Sequence, residues 1–283
     1  MSVQARSAAE KTPRVSVIST VFNGEAYVDR AIPGILAQTF EDFEFILVDD
    51  GSDDRTPEVL RDLAARDRRV RIFSPGRLGA AIAYNYGVAQ ARGEYIARQD
   101  FDDHSYPERL RLQVAFLDAH AEVGVVGGYY VLVDENRGER YVRMPPTEHT
   151  AIIAAMARSI PLAHTVATFR RRVWSDVGGY PEVANLIDLR FWLRVGKLGW
   201  RFANLPDVLG EHYVHASSWF HRSFKYVERQ RDLANVQAEI IRDFGLPRWM
   251  YAYPLGRFAY AYCPTGLKRV LRRTLGGSRE QDL

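Results

Sequence analysis

Four short apolar runs, each ending in polar residues and each followed by a helical pattern, constrain this chain more than any other feature. The runs are Val15–Thr20, Phe43–Asp49, Val70–Ser74 and Tyr95–Gln99. Rich in β-branched and aromatic residues, they read as buried strands. The intervening spacing predicts helices over Ala26–Gln38, Pro57–Ala65, Gly79–Ala91 and Pro107–His120, with Thr56 and Pro57 as N-cap and first helical residue. Such an alternation builds a parallel sheet with helices on both faces. Ligands bind beyond the carboxyl ends of its strands, so the polar residues just after each strand are where chemistry is expected.

After Gly124 the pattern changes. Val125–Val133 reads as a strand, and residues 134–138 as a turn into Glu139–Arg143. Ala151–Arg158 is a short helix, Ala163–Phe169 is strand-like, and Asp188–Lys197 is helical. Trp200–Leu205 and Val208–His215 are two further strand candidates, followed by a long polar helix over Trp219–Phe244. No linker or repeat interrupts the chain. The expectation is one α/β domain over residues 13–245, with a polar tail at 1–12 and a helical, amphipathic appendage at 246–283.

The 283 residues suffice for a sizeable core. A single cysteine, Cys263, rules out an intramolecular disulfide and suits a reducing cytosol. Residues 1–12 carry no apolar stretch of the kind a signal peptide needs, and no run of about 18 apolar residues occurs. A cytoplasmic protein is expected. Its charge is uneven: from Leu246 onward seven basic residues face two acidic ones, on a body two charges negative. That end also carries an aromatic run (Trp249, Tyr251, Tyr253, Phe258, Tyr260, Tyr262). Beyond it, Leu267, Val270, Leu271 and Leu275 share a helical face opposite Lys268, Arg269, Arg272 and Arg273. Such a segment suits an anionic membrane surface at the inner face of the cell membrane. Packing on the domain or a homodimer contact are the alternatives. Nucleic acid is not expected, because one short basic patch without a recognisable module does not make a binding face.

Two acidic clusters stand at strand ends. Asp49, Asp50, Asp53 and Asp54 follow the second run; a solvated turn accounts for them, and so does a carboxylate that accepts from a ribose or a base imino group. Asp100, Asp102 and Asp103 follow the fourth. Three carboxylates in four residues repel one another unless something positive sits among them. Hard divalent ions such as Mn²⁺ or Mg²⁺ take one or two carboxylates plus substrate phosphates.

The ordered segments Val15 to Asn23, Gln38-Thr39-Phe40, Phe43 to Ser52, Asn85, Ala91 to Ile96, Asp100 to Asp103 and Pro107 to Leu110 together resemble family 2 glycosyltransferases. The likeness resumes at His164 to Arg171, Gly178-Gly179-Tyr180 and Asp188 to Arg194. It implies the inverting GT-A fold, a mainly parallel Rossmann-like sheet flanked by helices, and a nucleotide-sugar donor, with UDP favoured over dTDP or GDP. By the resemblance, Thr20, Phe22 and Asn23 line the nucleotide pocket, Phe22 packing on the base. Asp49 holds the base, with Asp50 beside it. Asp100 lies near ribose and metal, Asp102 is the direct metal ligand, and Asp103 orients the donor sugar or the metal's water shell. Arg77 and Asn85 are further donor contacts, Arg77 on the diphosphate. His215 opens a His-x-x-Ser segment that closes over the diphosphate and completes the metal shell; a solvated strand end is the other interpretation.

For the acceptor, a glycan or lipid-linked glycan, the resemblance makes Asp188 the general base; helix capping would equally explain an aspartate there. Two departures from the family stand out: Ile187 where relatives often carry Glu, and Tyr84 where they commonly carry Arg. His164 either faces the acceptor or is a hydrogen-bonded residue of a buried strand. Among other enzymes, a dinucleotide-dependent oxidoreductase lacks its glycine fingerprint here, since Asn23-Gly24-Glu25 follows the first strand. A sugar-nucleotide nucleotidyltransferase, or a non-catalytic glycan- or membrane-binding relative, remains an alternative.

Overall fold

The computed structural model describes residues 12–183, 185–216 and 226–264. β1 (Val15–Val21), β2 (Phe43–Asp49), β3 (Val70–Phe73) and β4 (Tyr95–Arg98) lie parallel in the order β3-β2-β1-β4. Helices α1 (Val28–Leu36), α2 (Thr56–Arg66), α3 (Ala80–Ala89) and α4 (Arg109–Ala119) lead out of them. All seven residues of β2 are buried, as a strand covered on both faces requires. Ile18, Ile46 and Val48 point into one core with α3, while Val15, Val17, Phe45 and Leu47 point into the other with α1, α2 and α4. Gly87 lets α3 lie flat on the sheet: a Cβ there would sit 2.8 Å from Ile18 Cγ2.

Beyond β4 the nine-stranded sheet of the described residues becomes mixed. β8 (Thr168–Arg170) pairs antiparallel with both β4 and β6 (Val123–Asp134), and β9 (Arg201–Val214) runs parallel to β6. β5 (His104–Ser105) lies antiparallel on β9, and β7 (Glu139–Arg143) closes the predicted hairpin with β6. Two expectations change. Ala163–Phe169 is not one strand, because residues 164–166 form a 3₁₀ turn and only β8 is extended. The two strand candidates around Pro206 are a single strand. Leu205 pairs with Gly128 and Val208 with Tyr129, so Pro206 and Asp207 form a bulge where no ladder N–H is needed.

α5 (His149–Met156), α6 (Arg171–Val177), α7 (Ile187–Lys197) and α8 (Tyr226–Asp243) complete the α3 side of the core. α9 (Ala252–Tyr262) packs on α8, and Met250 just before it joins Ile241 and Ala157. Leu246 packs against the main core as well, so the chain enters the appendage without a break in packing. The predicted amphipathic segment Leu267–Leu275 lies outside the described residues, as do residues 1–11 and the start of the long helix at Trp219. No helix among the described residues is long and apolar enough to cross a membrane.

One buried cation ties the strand ends together. Arg109, 0% exposed, donates to Gln99 Oε1, Ser105 Oγ and Gln113 Oε1 and to the carbonyls of Arg98 and Ala167. Burial pushes its guanidinium down to about 9, which leaves it protonated at neutral pH. Arg109→Leu strands these acceptors in the core and should cost roughly 3–5 kcal/mol. A lowered urea midpoint at unchanged slope would show this; a loss below about 1 kcal/mol would remove Arg109 as the tie.

Candidate active site

The parallel strands carry their polar ends to one edge, and β9 brings a second set to the same place. β5 is the joint. His104 pairs with Glu211 and Ser105 with Gly210, so the loop 100–103 lies alongside residues 212–215. Phe101 anchors that loop in the core, packed against Gly24, where a Cβ would lie 2.8 Å from the ring.

Each carboxylate of the cluster thereby gains its own positive or protonatable partner. Asp100 Oδ1 accepts from Arg98 Nη2 at 2.6 Å and from the Tyr84 hydroxyl at 3.2 Å. Burial would raise Asp100, but the Arg98 charge overrides it and holds the carboxyl at about 2. Asp102 Oδ2 lies 3.0 Å from His215 Nε2, and the far side of that ring meets the Tyr27 hydroxyl at 3.3 Å. Asp103 is 0% exposed; it accepts from the Tyr213 amide at 2.7 Å and pairs with His212 Nδ1 at 2.8 Å. Burial works against the charge on His212, yet Asp103 wins and raises the imidazole to about 9. Asp103 is therefore held in an ion pair turned into the protein, beside Asp102 rather than open to the donor sugar or the metal's water shell. Asp102, with 31% of its side chain exposed, faces the opening.

On the nucleotide side, Asp49 is buried at the end of β2 and accepts from the Ser52 amide through Oδ1. Among the described residues its second oxygen accepts nothing, as a base-binding carboxylate requires. Asp50 differs. Its oxygens accept from the amides of Leu78 and Gly79 and from Arg77 Nη1 at 2.8 Å, which commits it to holding the 77–79 loop rather than a donor. The Arg77 guanidinium lies 3.5 Å from the Phe22 ring centroid, so one face of Phe22 is already covered. Asn23 has φ 53° and clasps Asp53 from both ends of its amide, fixing the loop after β1. Thr20 is the partly buried penultimate residue of β1.

The acceptor side is built around α7. Leu186 stands at φ 53° immediately before it, a left-handed conformation that costs a non-glycine residue energy and is commonly retained at functional sites. Asp188 sits partly buried in the first helical turn, with Oδ1 accepting from the Leu189 amide. Burial raises its carboxyl above the ordinary value, although Arg98 within electrostatic reach opposes the shift. His164 Nε2 lies 2.9 Å from Arg98 Nη1 and 2.9 Å from the Tyr180 hydroxyl. It is thus a neutral imidazole accepting from Arg98, pushed well below its usual range by burial and that same charge. Asn85 bonds Tyr180 O and N and Trp174 Nε1, docking α3 on the turn at 178–180.

Three participants were absent from the expectations. Arg98 preceded the acidic loop as a charge inside a buried strand, itself a signal. Tyr84 was visible only as a departure; it lies under the Arg98 guanidinium at 3.2 Å, so the cation beside Asp100 comes from β4. His212 gave no local signal, since its partner is 109 residues away.

The mixed sheet and its acidic edge define the GT-A fold. Solved structures similar to this chain include Staphylococcus aureus TarS residues 1–349 with UDP-GlcNAc, at a TM-score of 0.65 and 20% identity, over 94% of this chain and 77% of that one. The mannosyltransferase PcManGT of Pyrobaculum calidifontis with GDP-Man and Mn²⁺ matches at 0.65 and 20%, over 94% and 80%. Residues 16–178 match the family described as Glycosyl transferase family 2. The chain is also 33% identical over 275 residues to the putative glycosyltransferase EpsE of Bacillus subtilis strain 168, covering 93% of this chain and 97% of EpsE. The chain belongs to glycosyltransferase family 2, and it is a glycosyltransferase.

The geometry separates two neighbouring aspartates. Asp103→Ala leaves the Tyr213 amide and the His212 imidazole without their buried acceptor and should cost roughly 2–3 kcal/mol, whereas Asp102→Ala, at a partly exposed carboxylate, should cost about 1 kcal/mol or less. Urea unfolding of the two variants checks this; equal losses would contradict it.

Proposed function

We propose that the enzyme transfers a sugar from a nucleotide-sugar donor, best a UDP-sugar, to a hydroxyl of a glycan or lipid-linked glycan, with inversion at the anomeric carbon. Asp188 carries the proposal. It is a carboxylate at a helix start, raised in proton affinity by burial, beside the Arg98–Asp100 pair. That is what a general base for a weakly acidic hydroxyl needs. The acceptor O–H gives its proton to Asp188 while its oxygen attacks the anomeric carbon. The bond from that carbon to the donor diphosphate breaks on the opposite face, and the nucleoside diphosphate leaves with the electron pair. Asp49 holds the base, and Arg77, half-exposed and paired with Asp50 beside Phe22, is the cation offered to the diphosphate. TarS and PcManGT were solved with UDP-GlcNAc and GDP-Man, which supports a nucleotide-sugar here without selecting the base.

A divalent ion fits the same site. Asp102 and His215 offer a carboxylate and an imidazole 3.0 Å apart, and among the described residues no third acidic, histidine or cysteine ligand joins them. This suits an ion that takes its remaining ligands from substrate phosphates. The nitrogen ligand favours Mn²⁺ over Mg²⁺, and PcManGT was solved with Mn²⁺. Such an ion supplies Lewis-acid neutralisation of the departing diphosphate. Asp100, whose Oδ1 is engaged by Arg98 and Tyr84, then orients the ribose.

Asp102→Asn and excess chelator should each abolish transfer; full activity in EDTA would defeat the metal. Asp188→Asn should lower turnover by about 10²–10⁴-fold with nucleotide affinity unchanged, and wild-type turnover would remove it as base. The base must be deprotonated, so kcat/KM should fall as pH drops through its raised pKa. That acid limb lies above 3.8 and should vanish in Asp188→Asn.

A further inference from the structure

β7 is an edge strand. Its residues Glu139–Arg143 pair with β6 in unbroken register, and among the described residues no other hydrogen bond reaches their backbone. The outer side of β7 therefore presents a row of N–H and C=O groups ready to template another strand. Natural sheets blunt such edges by shortness, proline, lysine or a bulge. The two ends of this sheet are blunted so: β3 has four residues with Pro75 close behind, and β5 has two. β7 carries none of these devices, since Pro145 and Pro146 fall beyond its end.

The strand is complementary to itself. Laid antiparallel on a second copy and centred on Tyr141, it sets Glu139 opposite Arg143 of that copy, and the same pair recurs on the far side of the centre. Tyr141 meets Tyr141, an aromatic pair, and the exposed Val142 lies opposite Arg140. Met144, 69% exposed, falls opposite Gly138, where a Cβ would meet nothing within 4 Å. Moving the centre to Arg140 or Val142 loses both pairs of opposite charge, so the sequence selects one register.

The two charges are also available. Among the described residues neither Glu139 nor Arg143 forms an ion pair, whereas Arg140 between them is taken by Glu211. Within its own hairpin Glu139 stands directly opposite Asp134, a like-charge neighbour that a cation on its outer side would offset.

We propose that β7 pairs antiparallel with β7 of a second copy of this chain, joining the two sheets across a two-fold axis at Tyr141. A two-fold contact repeats every pair, which is what the placing of Glu139 and Arg143 at equal distances from Tyr141 provides. Backbone hydrogen bonds hold the pairing and the charges fix its register. A five-residue ladder is small for an interface, so the dimer should be weak and depend on concentration. None of the catalytic roles given to Asp102 or Asp188 enters into it.

Sedimentation velocity of the full chain at rising concentration tests this. The wild type should pass from monomer to dimer. Glu139→Arg or Arg143→Glu sets like charges opposite each other on both sides of the axis and should weaken association by about tenfold, with circular dichroism unchanged. Mixing the two variants in equal amounts should restore it, because every pair across the axis is then of opposite charge. The double exchange Glu139→Arg with Arg143→Glu should self-associate as the wild type does. A wild type that stays monomeric overturns the proposal. So does association that the single variants retain in full, or a loss that neither mixing nor the double exchange restores. Cross-linking checks the register without the charges. In a Cys263→Ser background, Glu139→Cys mixed with Arg143→Cys should form an intermolecular disulfide on mild oxidation, and neither variant alone should, because directly opposed residues of an antiparallel pair lie within disulfide reach. An unlinked mixture beside an associating wild type would place the contact elsewhere and overturn the proposal.

Discussion

The site depends on the buried guanidinium of Arg98. Three carboxylates in a four-residue loop would drive one another apart, or out into water, without a nearby cation. Arg98 neutralises Asp100 at 2.6 Å while its plane rests on Tyr84 and its other arm reaches His164. A guanidinium suits this place better than an ammonium, because its flat fork can stack and bond in two directions at once. Being 5% exposed, it is held by surroundings that also fix the relation between the donor and acceptor halves: Asp100 on one side, His164 and Tyr180 on the other, Asp188 within its field.

The same accounting alters what the acidic cluster means. Its density of charge suggested a bound cation, yet the chain itself supplies a partner for each member: Arg98 for Asp100, His212 for Asp103 and His215 for Asp102. Charge repulsion therefore does not require a metal. What favours one is narrower: Asp102 and His215 offer a carboxylate and an imidazole in contact, ligand types a divalent ion accepts, whereas Asp103 is fully buried on His212.

The strands and helices of the first half were legible because each reports on itself. A run such as Phe43–Asp49 is buried on both faces and needs no knowledge of its neighbours to be recognised, and its polar end marks the site edge directly. The second half was harder for a physical reason. Whether Pro206 ends a strand or sits in a bulge depends on the register with Gly128 and Tyr129, about which the local sequence is silent. The hydrogen bonds of Asp50, Asn85 and Asp103 were illegible for the same reason. As residue types they suit a donor site, but the partners that consume their hydrogen bonds, at 77–79, 174–180 and 212–213, are remote in sequence.

Tyr84 shows how such a departure can preserve a function. A helix residue that carries a cation in relatives is here a phenol, and taken alone this suggests weakened donor contacts. In the folded chain the phenol supports a cation delivered from β4, and its hydroxyl joins the same carboxylate. The positive charge beside Asp100 comes from the sheet, where it is desolvated and tightly fixed. A fixed cation beside Asp100 also lies near enough to Asp188 to oppose the rise in its proton affinity that burial causes. The Leu189 amide opposes that rise as well, through its bond to Asp188 Oδ1.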